Sequence, residues 1–154
     1  MKGITEQVRS LWVPLRDANM LLPNAAVAEV GYYRVPDERS DMPEWMLGSI
    51  SWRGQTLPLI SIELLCDYPV PANLVYSRLM IINSVRPDSA LQFYAVVTAG
   101  LPRPLQFSNN LVDEVEACGL EALQCRVFIG REQAVIPDLD YIQGLVEQYW
   151  ETAA

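Results

Sequence analysis

The sequence predicts a mainly β domain closed by one C-terminal helix. Three observations carry that expectation: short apolar stretches alternating with period two, turn signals every few residues, and one closing segment of helical periodicity. Ser10 to Arg16 places Leu11, Val13 and Leu15 on one side and Trp12, Pro14 and Arg16 on the other, the pattern of a half-buried strand. Pro14 lacks a backbone donor and suggests an edge position. Asp17-Ala18-Asn19 supplies turn chemistry ahead of Met20-Leu21-Leu22, so two antiparallel strands with a short connection are expected. Val27, Val30, Tyr32 and Val35 extend the sheet. Pro36 to Pro43 is polar, charged and bounded by prolines, which marks an exposed loop.

Gly48 through Ile62 forms two β-rich runs around Arg53-Gly54 and reads as a hairpin, with Ile50 and Trp52 on one face and Gly54 free to take a positive φ at the turn. Pro58 suggests an edge or a bulge. Glu63-Leu64-Leu65 fits one helical turn, and Tyr68-Pro69-Val70-Pro71 is a stiff connector between two halves that meet near residues 66–75. The halves are too small to stand as separate domains, so residues 1–154 are read as a single domain. Leu79-Met80-Ile81-Ile82, the turn Arg86 to Ser89 and Leu91 to Thr98 give another hairpin. Val127-Phe128-Ile129 and Ala134-Val135-Ile136 flank Gly130 to Gln133 as a last strand pair. Asp138 is placed to cap a helix whose Leu139, Ile142, Val146 and Tyr149 or Trp150 recur every three to four residues.

Composition restricts function more than fold. Eleven basic against 19 acidic residues give a net charge of −8, which opposes binding to nucleic acid or to an anionic membrane surface. No apolar run reaches the length of a membrane span, and Met1 to Gln7 lacks the apolar centre of a signal peptide, so a cytoplasmic location without membrane insertion is expected. Cys66, Cys118 and Cys125 are odd in number and not closely paired, which suggests neither a disulfide framework nor a zinc site. Histidine is absent. That removes Ser-His-Asp and Cys-His nucleophile systems, histidine metal centres and a phospho-accepting histidine. The remaining carboxylates, tyrosines and lysine form no evident catalytic constellation, so binding without catalysis, and with no cofactor or metal, is the expectation.

Gly48-Ser49-Ile50-Ser51-Trp52-Arg53-Gly54-Gln55-Thr56-Leu57-Pro58-Leu59-Ile60 resembles the CheW-family stretch Gly-Val-Ile-Asn-Leu-Arg-Gly-x-Val-Ile-Pro-Val-Ile. Val27-Ala28-Glu29-Val30 is similar to that family's Val-x-Glu-Val, and Val127 to Leu139 resembles its closing strands and helix start. The resemblance implies two small five-stranded β-barrels sharing a core, with a C-terminal α-helix. It also implies an adaptor that couples the cytoplasmic tip of methyl-accepting chemoreceptors to a CheA-type histidine kinase, in flagellar chemotaxis or pilus-linked motility. Ser51, Trp52, Thr98 and Gly100 depart from the family pattern, so the chain reads as a divergent member. The alternative is a stand-alone β-barrel module for a peptide or small ligand.

Glu29, Trp52, Arg53, Leu57 and Thr98 are candidate protein-binding residues; Ile50, Leu57, Leu59 and Ile60 are chiefly core candidates, with one face available to line the groove, and Gly54 and Pro58 are structural turn residues. Arg53 has two readings: its five donors meet a partner, or it pairs with an internal carboxylate and fixes the hairpin. Glu29 is either partner-facing or an ordinary solvated carboxylate. Trp12, Trp45, Trp52 and Trp150 divide between interface anchors and core packing. Asp113-Glu114-Val115-Glu116 has two readings, a contact for a basic partner or, as is usual for such a run, a solvated helix face.

Overall fold

In the computed structural model, residues 8–70 and 74–153 are described; the reading of Met1 to Gln7 and the Pro71 end of the connector lie outside them. Among the described residues, eleven strands and two α-helices follow in chain order. They are β1 (Val8–Pro14), β2 (Asn19–Pro23), β3 (Val27–Tyr32), β4 (Met46–Trp52), β5 (Gln55–Ile60), α1 (Ile62–Leu65) and β6 (Arg78–Asn83). Next come β7 (Phe93–Thr98), β8 (Arg103–Phe107), β9 (Glu114–Glu116), β10 (Leu123–Ile129), β11 (Glu132–Pro137) and α2 (Leu139–Ala153). They build a six-stranded sheet, β8-β1-β2-β11-β10-β9, and a five-stranded sheet, β3-β6-β7-β5-β4. Each sheet is antiparallel except for one parallel pair, β2 with β11 in the first and β5 with β7 in the second. The expected hairpins β1–β2, β4–β5, β6–β7 and β10–β11 are all present.

Period two explains how these strands stack. On β6, Met80 and Ile82 point into one apolar cluster while Leu79 and Ile81 point into another; on β7, Tyr94 and Val96 divide from Ala95 and Val97 in the same way. The first cluster is shared between the sheets and takes Val13, Met20 and Leu22 from the six-stranded side and Ile60, Met80 and Val96 from the other. The outer face of the five-stranded sheet encloses Ile50, Trp52, Leu57, Leu59, Leu79 and Ile81. Trp12, Leu21, Val127 and Ala134 fill the corresponding space of the six-stranded sheet. The domain therefore has one central core flanked by two lesser ones.

Several expectations are corrected. The two five-stranded barrels are mixed sheets of six and five strands that do not close, β3 and β4 remaining edges of the second. Strands β3 to β5 and β6 to β7, on either side of α1, belong to the same sheet. The strand containing Leu11 and Trp12 is buried on both faces, since both sheet surfaces pack apolar layers. Neither proline marks an edge strand. Pro14 lies past the β1–β8 ladder, which ends at Trp12 opposite Arg103, and Pro58 precedes the first β5–β7 pair at Leu59. The irregularity near Pro58 is instead on β4, between Met46 and Gly48. Asp113 to Glu116 is not helical. Glu114 to Glu116 is the exposed edge strand β9, paired to β10, and the Glu116 carboxylate meets Arg126 at 3.1 Å.

The helix α2 locks against the central core. The Tyr141 N–H donates to the Asp138 carboxylate (3.1 Å), the expected cap. Ile142 and Val146 are fully buried, each contributing about 1.5–3 kcal/mol. A polar clamp fixes its other side: Arg86 meets Asp140 at 3.1 Å and Glu147 at 2.5 Å, the Ser89 hydroxyl donates to Glu147, and Val85 N–H donates to the buried Gln143 (2.7 Å). Farther along, Trp45 meets Tyr149 edge-on with centroids 5.7 Å apart, and Arg39 of the exposed loop lies over Trp150 at 4.2 Å. That loop is also tied down at Asp37, whose backbone exchanges hydrogen bonds with Ser49 (2.8 and 2.9 Å).

Hydrogen bonds from Ser89 and Gln143, with the charge of Arg86, hold the Glu147 carboxyl below its ordinary range despite its partial burial. A carboxyl with a depressed native pKa contributes stability above the unfolded pKa and loses it as pH falls through the native one. Glu147→Gln is expected to lower stability by about 1–3 kcal/mol near neutral pH and to flatten the acid side of a stability–pH curve measured by urea unfolding. A second outcome concerns Gly48, whose φ is +142° and where an added Cβ would lie 2.2 Å from the Asp37 carbonyl oxygen. Gly48→Ala is expected to cost about 1–3 kcal/mol or more, read from the unfolding midpoint.

Candidate functional site: the seam between β3 and β4

The two edges of the five-stranded sheet face each other across a gap. On β3 the register puts Glu29 opposite Ile81 and Gly31 opposite Leu79, so the face turned toward the gap carries a carboxylate and a glycine where a closed barrel would need apolar side chains. β4 supplies Trp52 on the other side. Glu29, Gly31, Tyr32, Arg34 and Trp52 line a depression of about 280 Å³, with Leu79 and Ile81 beneath.

The β4–β5 hairpin aims a cation across this seam. Its loop has two residues, Arg53 and Gly54, with φ of 49° and 77°. Positive φ at both central positions is the two-residue hairpin conformation that matches strand twist, and it makes Gly54 the residue for the second position. Arg53 accepts the left-handed backbone and extends its guanidinium over the Trp52 ring, 4.7 Å from the centroid. Its Nη2 meets Glu29 Oε1 at 2.9 Å. The pair spans the open edge. Both side chains remain on the surface, 68% exposed for Arg53 and 41% for Glu29, so the bond is accessible and worth no more than about 1 kcal/mol.

The structure brings Glu29, Trp52 and Arg53 together and separates the other two candidates from them. Trp52 is the buried floor under Arg53, tilted against Phe93 with centroids 4.9 Å apart, and its indole N–H is buried with no protein acceptor. Leu57, 3% exposed, belongs to the apolar cluster beneath. Thr98 is fully buried: its hydroxyl donates to the Gly100 carbonyl (2.6 Å) and accepts from the Arg78 N–H (3.3 Å). As direct contacts for a partner, Leu57 and Thr98 are therefore corrected to internal supports. Gly54 and Pro58 are backbone devices, in the turn and in the ladder respectively.

Sequence reasoning missed Tyr32, Arg34 and Arg78. Tyr32 is 79% exposed and lies under the Arg78 guanidinium at 5.1 Å, which extends the seam along β3. Gly31 in mid-strand was the available signal, since a glycine there marks a place where a side chain is unwelcome.

The sequence pattern of the CheW-like domain matches residues 9–117, more than half of the chain and the whole of this seam. The protein belongs to the CheW-like domain family. No curated protein sequence matches it significantly. Among solved structures, the scaffolding protein TtCheW from Thermoanaerobacter tengcongensis superposes with a TM-score of 0.73 over 90% of this chain and 89% of its own, at 14% identity. At that identity the likeness shows the fold. The CheW-like match stops before β10, β11 and α2, whereas the structural likeness, at 90% of the chain, extends beyond residue 117.

The Thr98 hydroxyl connects two backbone groups inside the fold, and valine has the same shape without the hydroxyl. Thr98→Val is expected to cost about 1–3 kcal/mol in chemical unfolding, because it leaves the Arg78 N–H and the Gly100 carbonyl without that partner. An unchanged unfolding midpoint would show that the internal role is wrong.

Proposed function

We propose that this chain is a non-catalytic CheW-type scaffold that couples the cytoplasmic tip of methyl-accepting chemoreceptors to a CheA-type histidine kinase. The single observation that carries the reading is the CheW-like match over residues 9–117, spanning strands of both sheets. A cytoplasmic site of action belongs to the same proposal, as does the reading of residues 1–154 as one domain; among the described residues no helix is long and apolar enough to cross a membrane. Histidine is absent from the sequence, so the phosphoryl chemistry of such a system would reside in the kinase.

In this reading Glu29 and Arg53 form the partner-facing part of the seam. Trp52 holds Arg53 from below, and Leu57 and Thr98 maintain the surface from inside. An incoming receptor group that pairs with Arg53 or Glu29 exchanges one exposed ion pair for another, which costs little in desolvation. Signal transmission requires the scaffold to contact the two kinase states unequally, because a partner with equal affinity for both shifts nothing.

The test is binding of the purified chain to the regulatory domain of a CheA-type kinase and to a receptor cytoplasmic-tip fragment, each measured by calorimetry. Binding of both supports the scaffold, and binding of neither overturns it. Arg53→Ala is expected to weaken receptor binding about tenfold while shifting stability by less than about 1 kcal/mol. Loss of cooperative unfolding in that variant would assign Arg53 to the architecture instead of the interface.

A further inference from the structure

A second concavity lies on another part of the five-stranded half, and none of its lining residues belongs to the seam. It has a volume of about 320 Å³, within the range of small-molecule sites. Leu47, Leu64, Leu74 and Val97 give it apolar walls, and Tyr33 adds an aromatic ring. Its charged lining residues are two carboxylates, Glu38 and Glu63, with neither lysine nor arginine among them.

Glu63 is the unusual member. It is fully buried, the first acidic residue of a short helix capped by Ser61. One carboxyl oxygen accepts from the Arg16 backbone N–H at 2.6 Å, and the other, Oε1, is buried with no partner. The Arg16 guanidinium, whose charge acts on Glu63, donates to the Val70 carbonyl at 2.7 Å. Burial pushes the Glu63 carboxyl up, and the Arg16 hydrogen bond and charge offset only part of that rise. Leaving a buried acceptor without a partner is unfavourable, so a donor that reached it would recover binding energy unavailable to an apolar ligand.

We propose that this cavity binds a small organic cation, an apolar body of about one ring bearing a protonated amine, whose ammonium donates to Glu63 Oε1. The apolar body replaces water against Leu47, Leu64 and Val97, and Glu38 adds a second negative charge to the lining. Because Glu63 lines the cavity without water-accessible surface, the ammonium reaches Oε1 by parting the side chains over it. Specificity follows from charge. An alcohol of the same shape lacks the cation, and a carboxylate meets repulsion from both glutamates. The site is independent of the scaffold reading, since it uses neither Glu29 nor Arg53.

The experiment titrates 2-phenylethylamine into isotopically labelled protein and follows backbone amide shifts, with 2-phenylethanol and 3-phenylpropionate as matched probes. The expected result is saturable binding of the amine with shifts centred on Leu47, Leu64 and Val97, and binding at least tenfold weaker for the other two. Glu63→Gln keeps an acceptor for the Arg16 N–H and removes the charge, so it is expected to weaken the amine about tenfold. Leu74→Trp, at a position 42% exposed, is expected to fill the mouth and abolish binding with the unfolding midpoint retained. Equal binding of amine and alcohol, shifts centred elsewhere, or no saturable binding of the amine overturns the proposal. So does full affinity in folded Glu63→Gln or Leu74→Trp.

Discussion

Everything in this fold depends on one constraint: the inner strands are buried on both faces. A sheet with a wet side can tolerate a polar residue at every second position, whereas β6 and β7 have apolar neighbours on either side and cannot. The central core then forces the sheets face to face, and α2 seals its remaining flank with Ile142 and Val146. Apart from the buried Glu63, charged chemistry is displaced to the margins. It survives at the edges β3 and β9, in two-residue turns, and in the clamp between Arg86 and α2.

The seam follows from that displacement. A strand that ends a sheet has unpaired backbone and one neighbour fewer, so β3 can carry Glu29 and Gly31 at positions that β6 fills with Ile81 and Leu79. The hairpin then places Arg53 against Glu29, closing by an ion pair what hydrogen bonds leave open. An electrostatic closure differs in kind from a backbone ladder: it is surface-exposed, screened by salt and exchangeable with other charged groups. Of the two readings of Arg53, internal pairing is what the free chain shows, and that pairing is itself suited to competition by a partner.

Local structure was legible in the sequence wherever two signals agreed. Arg53-Gly54 between alternating runs fixed the β4–β5 hairpin, and Asp138 ahead of Leu139, Ile142 and Val146 fixed α2. What could not be read was which strands meet across long separations. The parallel pairs β2–β11 and β5–β7 leave no local mark, so strand order lies beyond what local patterns carry. Leu57 and Thr98 were assigned by likeness to a family pattern, which says where a residue stands in the chain and not which way it points. Pro14 and Pro58 misled for a related reason: a proline is excluded only from the span where a second ladder needs its nitrogen, and both stand just outside it.

The parallel pairing of β2 with β11 also has a history in time. Met20 and Val135 are partners, so the hairpin that leaves the ribosome among the first elements waits for one of the last before its sheet is whole. The five-stranded sheet, drawn wholly from the middle of the chain, is complete well before then. Until β11 is made, β2 has β1 on one side and an open edge on the other, and the shared core lacks Val135. Pairing across so long a separation is slow in general, because the chain must close the loop before the contact rewards it.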